Sequence, residues 1–378
     1  MYLKVFLIGL GRAGCRITHQ FFEAGLHNVE GVLVDTDLAD LGHLKYRYRI
    51  PAGEALIDGE GTQRDLSLGM EVIQADRYGI IEKMTRVKGD ADCIFLISAL
   101  GGGTGGAAGI LLEEMKKNFI EPLYYVGVLP CEEDLSVVTI NAARALKETI
   151  RHCDAFFPID MDHLKQSTRI KGNYRGINRL IYTYFERVFQ IGEFSGRGDI
   201  GENAVDFSDF AKTLKGLSVV GLKGQDLLLN PEIDKPEAVI DLTKAASKMT
   251  TLQVELGDVQ SALVTVLGDR DHIDFLGSIP ARLWVEKNIG GREVRGGDMP
   301  LGRRGNVEVL LIFSGVKRSE EMAGLYKKVE LLGKAQQMDE TVSEVIDRIG
   351  GMRHTLNELE REMDETYQKL KGKVEKKE

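Results

Sequence analysis

Cys93-Ile94-Phe95-Leu96-Ile97-Ser98-Ala99-Leu100 runs straight into Gly101-Gly102-Gly103-Thr104-Gly105-Gly106, and the reading of this junction decides the fold. A near-continuous apolar run of strand length, without regular polar alternation, belongs to a strand covered on both faces. Five glycines and one threonine then leave bare backbone amides where a helical pattern, about Thr104 to Phe119, begins. Such amides, backed by the partial positive charge of a helix N-terminus, form a site for a phosphate chain. A flexible linker has a similar composition, but linkers do not sit between a buried strand and an apolar helix. The junction reads as a nucleotide-binding loop.

Working outward, strand-length apolar runs alternate with helical patterns: Leu3 to Ile8, a helix from about Arg12 to Ala24, then Gly31 to Val34. After the glycine loop come Leu123 to Leu129, a helix from about Val137 to His152, and Phe156 to Ile159. This alternation predicts an α/β fold with a doubly wound parallel sheet. A long helical pattern, roughly Tyr174 to Phe194, is expected as a central helix, with a domain boundary near Gly216. Beyond it, Ser261 to Leu267, Ala281 to Glu286 and Val307 to Phe313 read as strands of a smaller mixed α+β domain, and Gly224 to Pro236 as its surface loop. The expected division is 1–216, 217–316 and 317–378. The last part carries Val342, Val345, Ile349, Met352, Leu356, Leu359, Met363 and Leu370 at 3-4 spacing, interrupted by Gly350-Gly351. That pattern fits a coiled coil, two helices folded back, or an amphipathic helix on its own domain, followed by a disordered tail from Lys371 to Glu378.

Composition bounds the function. At 378 residues, 43% hydrophobic and 28% charged, the chain has the profile of a soluble globular protein. Its 43 glycines exceed the usual share of about 7% and gather at strand ends, as ligand loops do. A net charge of -9 argues against a protein built to coat nucleic acid or an anionic bilayer. Cys15, Cys93, Cys131 and Cys153 form no CxxC pair, which indicates neither a metal knuckle nor a disulfide framework and fits a reducing cytoplasm. No apolar run is long enough for a transmembrane helix.

A second glycine cluster, Gly9-Leu10-Gly11-Arg12-Ala13-Gly14, follows the first strand, and Asp35 ends the next strand 21 residues beyond Gly14. Spacing and context match the dinucleotide fingerprint, in which such an Asp binds a ribose, so an NAD(P)-dependent oxidoreductase is an open alternative. A dinucleotide does not require a second, richer glycine loop; two loops at one sheet edge suit a triphosphate. No GxxxxGK[ST] occurs, so no P-loop lysine is in place. A third loop, Gly59-Glu60-Gly61-Thr62-Gln63-Arg64-Asp65, has the polarity to close over a terminal phosphate, with Asp65 a partner for Mg²⁺ or its waters, or it is an ordinary solvated loop.

The loop Gly101 to Gly106 is similar to the tubulin/FtsZ signature, and the order of segments resembles that superfamily to about residue 316. The resemblance is strongest to its CetZ branch, in LPCEEDLSVVTINAARAL (129 to 146), YRGIN (174 to 178), NAVDFSDFAKTL (203 to 214) and WVEKNIGGREVRGGD (284 to 298). It implies a GTPase that polymerises head to tail as a cytoskeletal element in cell shape or division. It further implies that Gly11, Arg12, Ala13 and Gly14 line the α and β phosphates and that Gly102 to Gly106 hold the β and γ phosphates. Asp134 would reach the ribose, Tyr174 would stack on the base, and Asn178 would bond the guanine edge. Asp206 and Asp209 match the acidic loop that completes the next subunit's active site. A carboxylate pair at this spacing can orient a water, or serve as an N-cap and acidic first turn. Two residues depart from the usual pattern: Ala107 in place of the signature's last glycine, and Ala204 in place of the acidic loop's asparagine.

If the phosphate loops lie at one end of the sheet and the acids follow the central helix to the other, only a head-to-tail contact unites them, and a contact that does not close makes a filament. GTP, GDP and Mg²⁺ are the expected ligands, and further copies of the chain the expected partners. Residues 318–370 would pair filaments or dock a partner helix, and any membrane association would be peripheral and through a partner. A GTP-binding scaffold that forms no filament is the third reading.

Overall fold

The computed structural model describes residues 3–168, 174–191, 207–226, 236–269, 273, 277–291, 293–300, 306–325 and 327–331. The apolar runs become strands β1 (Val5–Leu10), β2 (Val29–Asp35), β3 (Arg49–Pro51), β4 (Cys93–Ala99), β5 (Leu123–Val128) and β6 (Ala155–Ile159). They continue into β7 (Gly216–Asp226), β8 (Ser261–Gly268), β9 (Glu293–Pro300) and β10 (Asn306–Ser314), all in one sheet of order β3-β2-β1-β4-β5-β6-β7-β10-β8-β9. Strands β1 to β6 pair in parallel, β7 joins β6 in parallel, and β10 runs antiparallel to both β7 and β8. Every residue of β1, β5 and β6 is buried, as expected where helices cover both faces.

The crossovers are α1 (Gly11–Ala24), α2 (Leu38–His43), α3 (Glu54–Ile57), α4 (Leu66–Lys88), α5 (Gly103–Gly106), α6 (Ala108–Asn118) and α7 (Ser136–Thr149). Helix α1 starts directly from β1 with no side-chain cap and stops at Gly25, whose left-handed φ of 66° lets its N–H reach Phe22 O. A Cβ at Gly14 would stand 2.1 Å from Ile97 O, so α1 lies on β4 at a distance only glycine allows. After β6 come α8 (Met161–Thr168), α9 (Tyr174–Phe189), α10 (Phe207–Thr213), α11 (Pro236–Lys248) and α12 (Ile279–Asn288).

Helix α9 is the central helix. Ile177, Ile181, Tyr184, Phe185, Val188 and Phe189 give it one apolar face, and its aromatic rings pack around Phe95 of β4, with Phe189 at 5.0 Å and Phe185 at 6.3 Å between centroids. Its 16 residues make a rod about 24 Å long. Near its far end, Asn28 donates to Leu3 O at 2.8 Å and Phe189 O at 2.7 Å, fixing that end beside the start of β1. A buried ion pair ties α9 to β10: Arg187 donates to Glu308 from Nε at 2.5 Å and from Nη2 at 3.2 Å.

The structure departs from the sequence expectations in several elements. Ala281 to Glu286, expected as a strand, lies in α12, where Ala281 and Val285 are buried four residues apart and Leu283 is exposed. A short apolar run does not distinguish a strand from a buried helical stripe. The strand at this point is β9, whose two glycines and three charges hide it. The helical pattern from Thr104 to Phe119 is two helices, because Ala107 with ψ 6° breaks the run between α5 and α6. Helices α4 and α11 were not foreseen, and Gly224 to Asp226, expected in a loop, are the end of β7 paired with β10. The contact pattern groups Met1–Leu325 as one unit, and of the second, from Tyr326, only 327–331 are described, in helical conformation. Residues 192–194 of the expected central helix, 227–235 of the expected loop, the heptads and the terminal tail lie outside the described residues.

Candidate nucleotide site

Because β1, β2, β4 and β5 are parallel, their carboxyl ends and the loops that follow meet at one edge of the sheet. The two glycine clusters touch there. Gly11 has φ +70°, and a Cβ on it would stand 2.9 Å from the Gly105 amide nitrogen. Gly102 opens α5 with φ −81° and no side-chain cap, which leaves the first amides of the turn to a ligand. The loop is braced from below by Ser98, whose Oγ donates to Gly105 O at 2.8 Å and meets Tyr125 OH at 2.8 Å. Asn141 of α7 clamps it from the side, with Nδ2 2.8 Å from Arg64 O and 3.3 Å from Gly101 O.

The third loop packs against the second. A Cβ at Gly103 would lie 2.2 Å from Thr62 Oγ1 and 2.4 Å from Asp65 O. Three buried hydroxyls interlock the loops: Thr104 Oγ1 lies 2.7 Å from Thr36 Oγ1 and 3.3 Å from Thr62 Oγ1. Asp65 caps α4, accepting from Leu68 N at 3.0 Å. No group of three or more His, Cys, Asp or Glu suited to a metal ion occurs among the described residues. A cation here would rest mainly on phosphate oxygens and water, a donor set that fits Mg²⁺, which keeps much of its hydration.

Two expected ligand residues are otherwise engaged. Arg12 is exposed and paired with Asp37 at 3.0 Å and with Asp40. Partial burial pulls its guanidinium pKa down, and the two carboxylates outweigh that and hold it above the ordinary value. Asp35, expected at a ribose, is only 2% exposed and accepts from Thr36 N at 2.8 Å. Its Oδ2 has no hydrogen-bond partner, and burial pushes the carboxyl up to about 6. It is turned into the protein and braces the end of β2.

Asp134 and Tyr174 do come together. Asp134 Oδ2 accepts from Cys131 N at 2.9 Å, and its Oδ1 accepts from Tyr174 OH at 3.1 Å. Tyr174, at the start of α9, is 60% exposed, and partial burial of its hydroxyl, then Asp134, pushes the phenol up to about 12. Asn178 is half-buried one turn along.

Asp209 lies elsewhere. Strand β7 starts at Gly216, which pairs with Ala155, the first residue of β6, and whose N–H donates to Asp154 O at 2.8 Å. The helix α10 just before it therefore sits at the edge where parallel strands begin, opposite the glycine loops. Phe210 is fully buried and meets the Tyr124 ring edge-on at 5.8 Å, which holds α10 down and leaves Asp209 half-buried beside it. Asp209 Oδ1 accepts from Arg295 Nη1 at 2.8 Å. Asp206 and Ala204 lie outside the described residues. The sequence reading named neither Thr36, Asn141 nor Arg295, although the last two stand inside stretches it quoted.

Residues 4–169 match the model of the tubulin/FtsZ family, GTPase domain, and residues 167–330 that of the tubulin-like CetZ, C-terminal domain. Tubulin-like protein CetZ2 of Haloferax volcanii is 31% identical over 345 residues, covering 88% of this chain and 94% of that one. Among solved structures, CetZ2 from H. volcanii in a GTPγS-bound protofilament covers 88% of this chain and all of its own, with a TM-score of 0.78 and 31% identity. The GDP-bound monomer of CetZ1 from the same organism has a TM-score of 0.75 at 27% identity, covering 88% and 100%.

Proposed function

The chain belongs to the tubulin/FtsZ family, in its CetZ branch, and from that premise we propose that it is a GTPase polymerising head to tail, each nucleotide cleaved with the help of the next subunit's Asp209. The observation that carries this reading is the separation of the two halves of the machinery. The glycine loops end the parallel strands and Asp209 precedes their beginnings, with α9, about 24 Å long, between. One chain cannot bring them together.

In this reading Gly11 to Gly14 hold the α and β phosphates and Gly102 to Gly106 the β and γ phosphates through backbone amides. Gly101 serves the loop, its carbonyl held by Asn141. Asp134 bonds the ribose, Tyr174 stacks on the base, and Asn178 bonds the guanine edge. An aromatic and an amide one helical turn apart suit stacking with edge recognition. Arg12 keeps its pairing with Asp37 and Asp40 and fixes the α1 N-terminus. Mg²⁺, where bound, supplies charge neutralisation on the phosphates, with Asp65 reaching it through water. Asp209, with Asp206, accepts hydrogens of a water and aims it at the γ-phosphate, so that turnover depends on positioning and fixed dipoles.

The change from parallel to antiparallel pairing after β7 supports dividing the chain near Gly216 into a nucleotide-binding part, 1–216, and an α+β part, 217–316. The 3-4 heptads support reading 317–378 as a helical, coiled-coil-like extension that pairs filaments or docks a partner helix. No described helix is long and apolar enough to cross a membrane. A cytoplasmic filament acting in cell shape or division is the corresponding cellular role.

Sedimentation with GTP and Mg²⁺ tests assembly, and Asp209→Ala tests the chemistry. The variant should retain GTP and lose about 100-fold or more in turnover; full hydrolysis by Asp209→Ala would remove the assignment.

A further inference from the structure

Asp209 stands on a helix of seven residues, and its carboxylate must be aimed to within a few tenths of an ångström to orient a water. The backbone is well held, by Phe210 in the core, by Thr213 Oγ1 donating to Asp209 O at 2.8 Å and by Ser261 Oγ donating to Thr213 O at 3.2 Å. None of these contacts fixes the side chain. Arg295, from β9, reaches the carboxylate.

Arg295 and Glu293 are two residues apart and so share a face of β9. Arg295 Nε and Nη2 both donate to Glu293 Oε1, at 3.1 and 2.6 Å, which sets the plane of the guanidinium. Its Nη1 then points at Asp209 Oδ1, 2.8 Å away. Glu293 and Asp209 together keep the guanidinium pKa above its ordinary value. A planar, permanently charged fork anchored at one end is suited to hold a carboxylate by a single oxygen and so define the direction of the other. Asp209 and Arg295 are 34% and 29% exposed at the side chain, accessible to an arriving protomer.

We propose that Arg295, steadied by Glu293, is a positioning residue that aims the Asp209 carboxylate at the water attacking the neighbouring subunit's nucleotide. The proposal rests on the reading of Asp209 as the water-orienting acid, and it adds strand β9 to helix α10 at the catalytic end of the protomer. A half-buried, solvent-reachable ion pair contributes modestly to folding, so its loss reads out in turnover more than in stability.

The test is a double-mutant cycle on GTP hydrolysis at saturating protein concentration, with GTP affinity and sedimentation measured on the same samples. Arg295→Ala should lower kcat by about 10- to 100-fold, the cost of a misplaced catalytic group, with GTP affinity and sedimentation unchanged. Arg295→Lys, which keeps the charge without the fork, should recover only part of the rate, and Glu293→Gln should lose less than Arg295→Ala. In an Asp209→Ala background, Arg295→Ala should have no further effect. Unchanged kcat in Arg295→Ala overturns the proposal, and so does a loss that multiplies with that of Asp209→Ala, since Arg295 would then act on the phosphates itself. Full turnover in Asp209→Ala alone is the distinct result that overturns the reading of Asp209, and the proposal with it.

Discussion

Gly103→Ala probes whether the glycine loop holds the nucleotide. An added Cβ would lie 2.2 Å from Thr62 Oγ1, which can rotate away, and 2.4 Å from Asp65 O, which cannot. The Asp65 carbonyl accepts from Gly69 N at 3.0 Å, and its amide donates to Thr62 O at 2.7 Å. Ordinary contact begins at 3.4 Å, so the third loop and the glycine loop must part by 1.0 Å. Overpacking of this kind costs about 1–3 kcal/mol. If the 59–65 loop yields, the same energy appears as GTP binding weakened by about 5- to 150-fold. The assay is calorimetric titration of nucleotide-free protein with GTP, beside urea unfolding. Gly102→Ala is the control for the empty fold, because its nearest heavy atom would be 3.7 Å away and its φ of −81° suits any residue, so stability should not change. Lowered stability in Gly103→Ala with unchanged GTP affinity would refute the assignment of this loop to the nucleotide.

Three further perturbations probe other parts of the account. Arg187→Met leaves Glu308, 8% exposed, with a buried uncompensated charge and should lower unfolding free energy by about 3–5 kcal/mol, much of it recovered by adding Glu308→Leu; a single-variant loss no larger than that of a surface substitution would show the pair is not buried. Tyr174→Ala should weaken GTP binding by about 1–3 kcal/mol through lost stacking, and Tyr174→Phe, which loses only the hydroxyl donated to Asp134, by less; equal affinities in a fluorescent-nucleotide titration would remove Tyr174 from the base site. Asp35 has a folded pKa of about 6 against an ordinary 3.8, so the native state binds its proton more tightly and stability falls as pH rises from about 4 to 6. Asp35→Asn, which keeps an acceptor for Thr36 N, should therefore stabilise the protein at neutral pH by up to about 3 kcal/mol and match wild type below about pH 4; a destabilised variant in urea melts at pH 7 would show that the charge serves the fold.

The parts of this molecule legible in its sequence are those with local causes. A near-continuous apolar run followed by glycines gave β4 and its loop, and Gly9 to Gly14 gave the β1–α1 turn, because strand burial and close backbone approach each restrict the residues allowed. The smaller part of the chain was harder to read. Ala281 to Glu286 has the apolar density of a strand, and only its partners select the helical face formed by Ala281 and Val285. Strand β9 sits at the sheet's edge and carries few apolar residues, so its pairing with β8 leaves no periodic trace. Asp134 and Tyr174, which meet, are 40 residues apart, and the family motifs singled them out where periodicity could not. The engagement of Asp35, Arg12 and Asp209 by Thr36, Asp37 and Arg295 depends on side-chain direction, which spacing does not encode.

Hydrolysis is proposed to need two protomers, since the glycine-loop amides and Asp209 stand at opposite edges of one sheet. GTP turnover per subunit, measured at saturating GTP over a wide range of protein concentration, tests this most directly. Turnover should be nearly absent in dilute solution and rise to a plateau as subunits associate. A rate per subunit that stays constant across the range would contradict the claim.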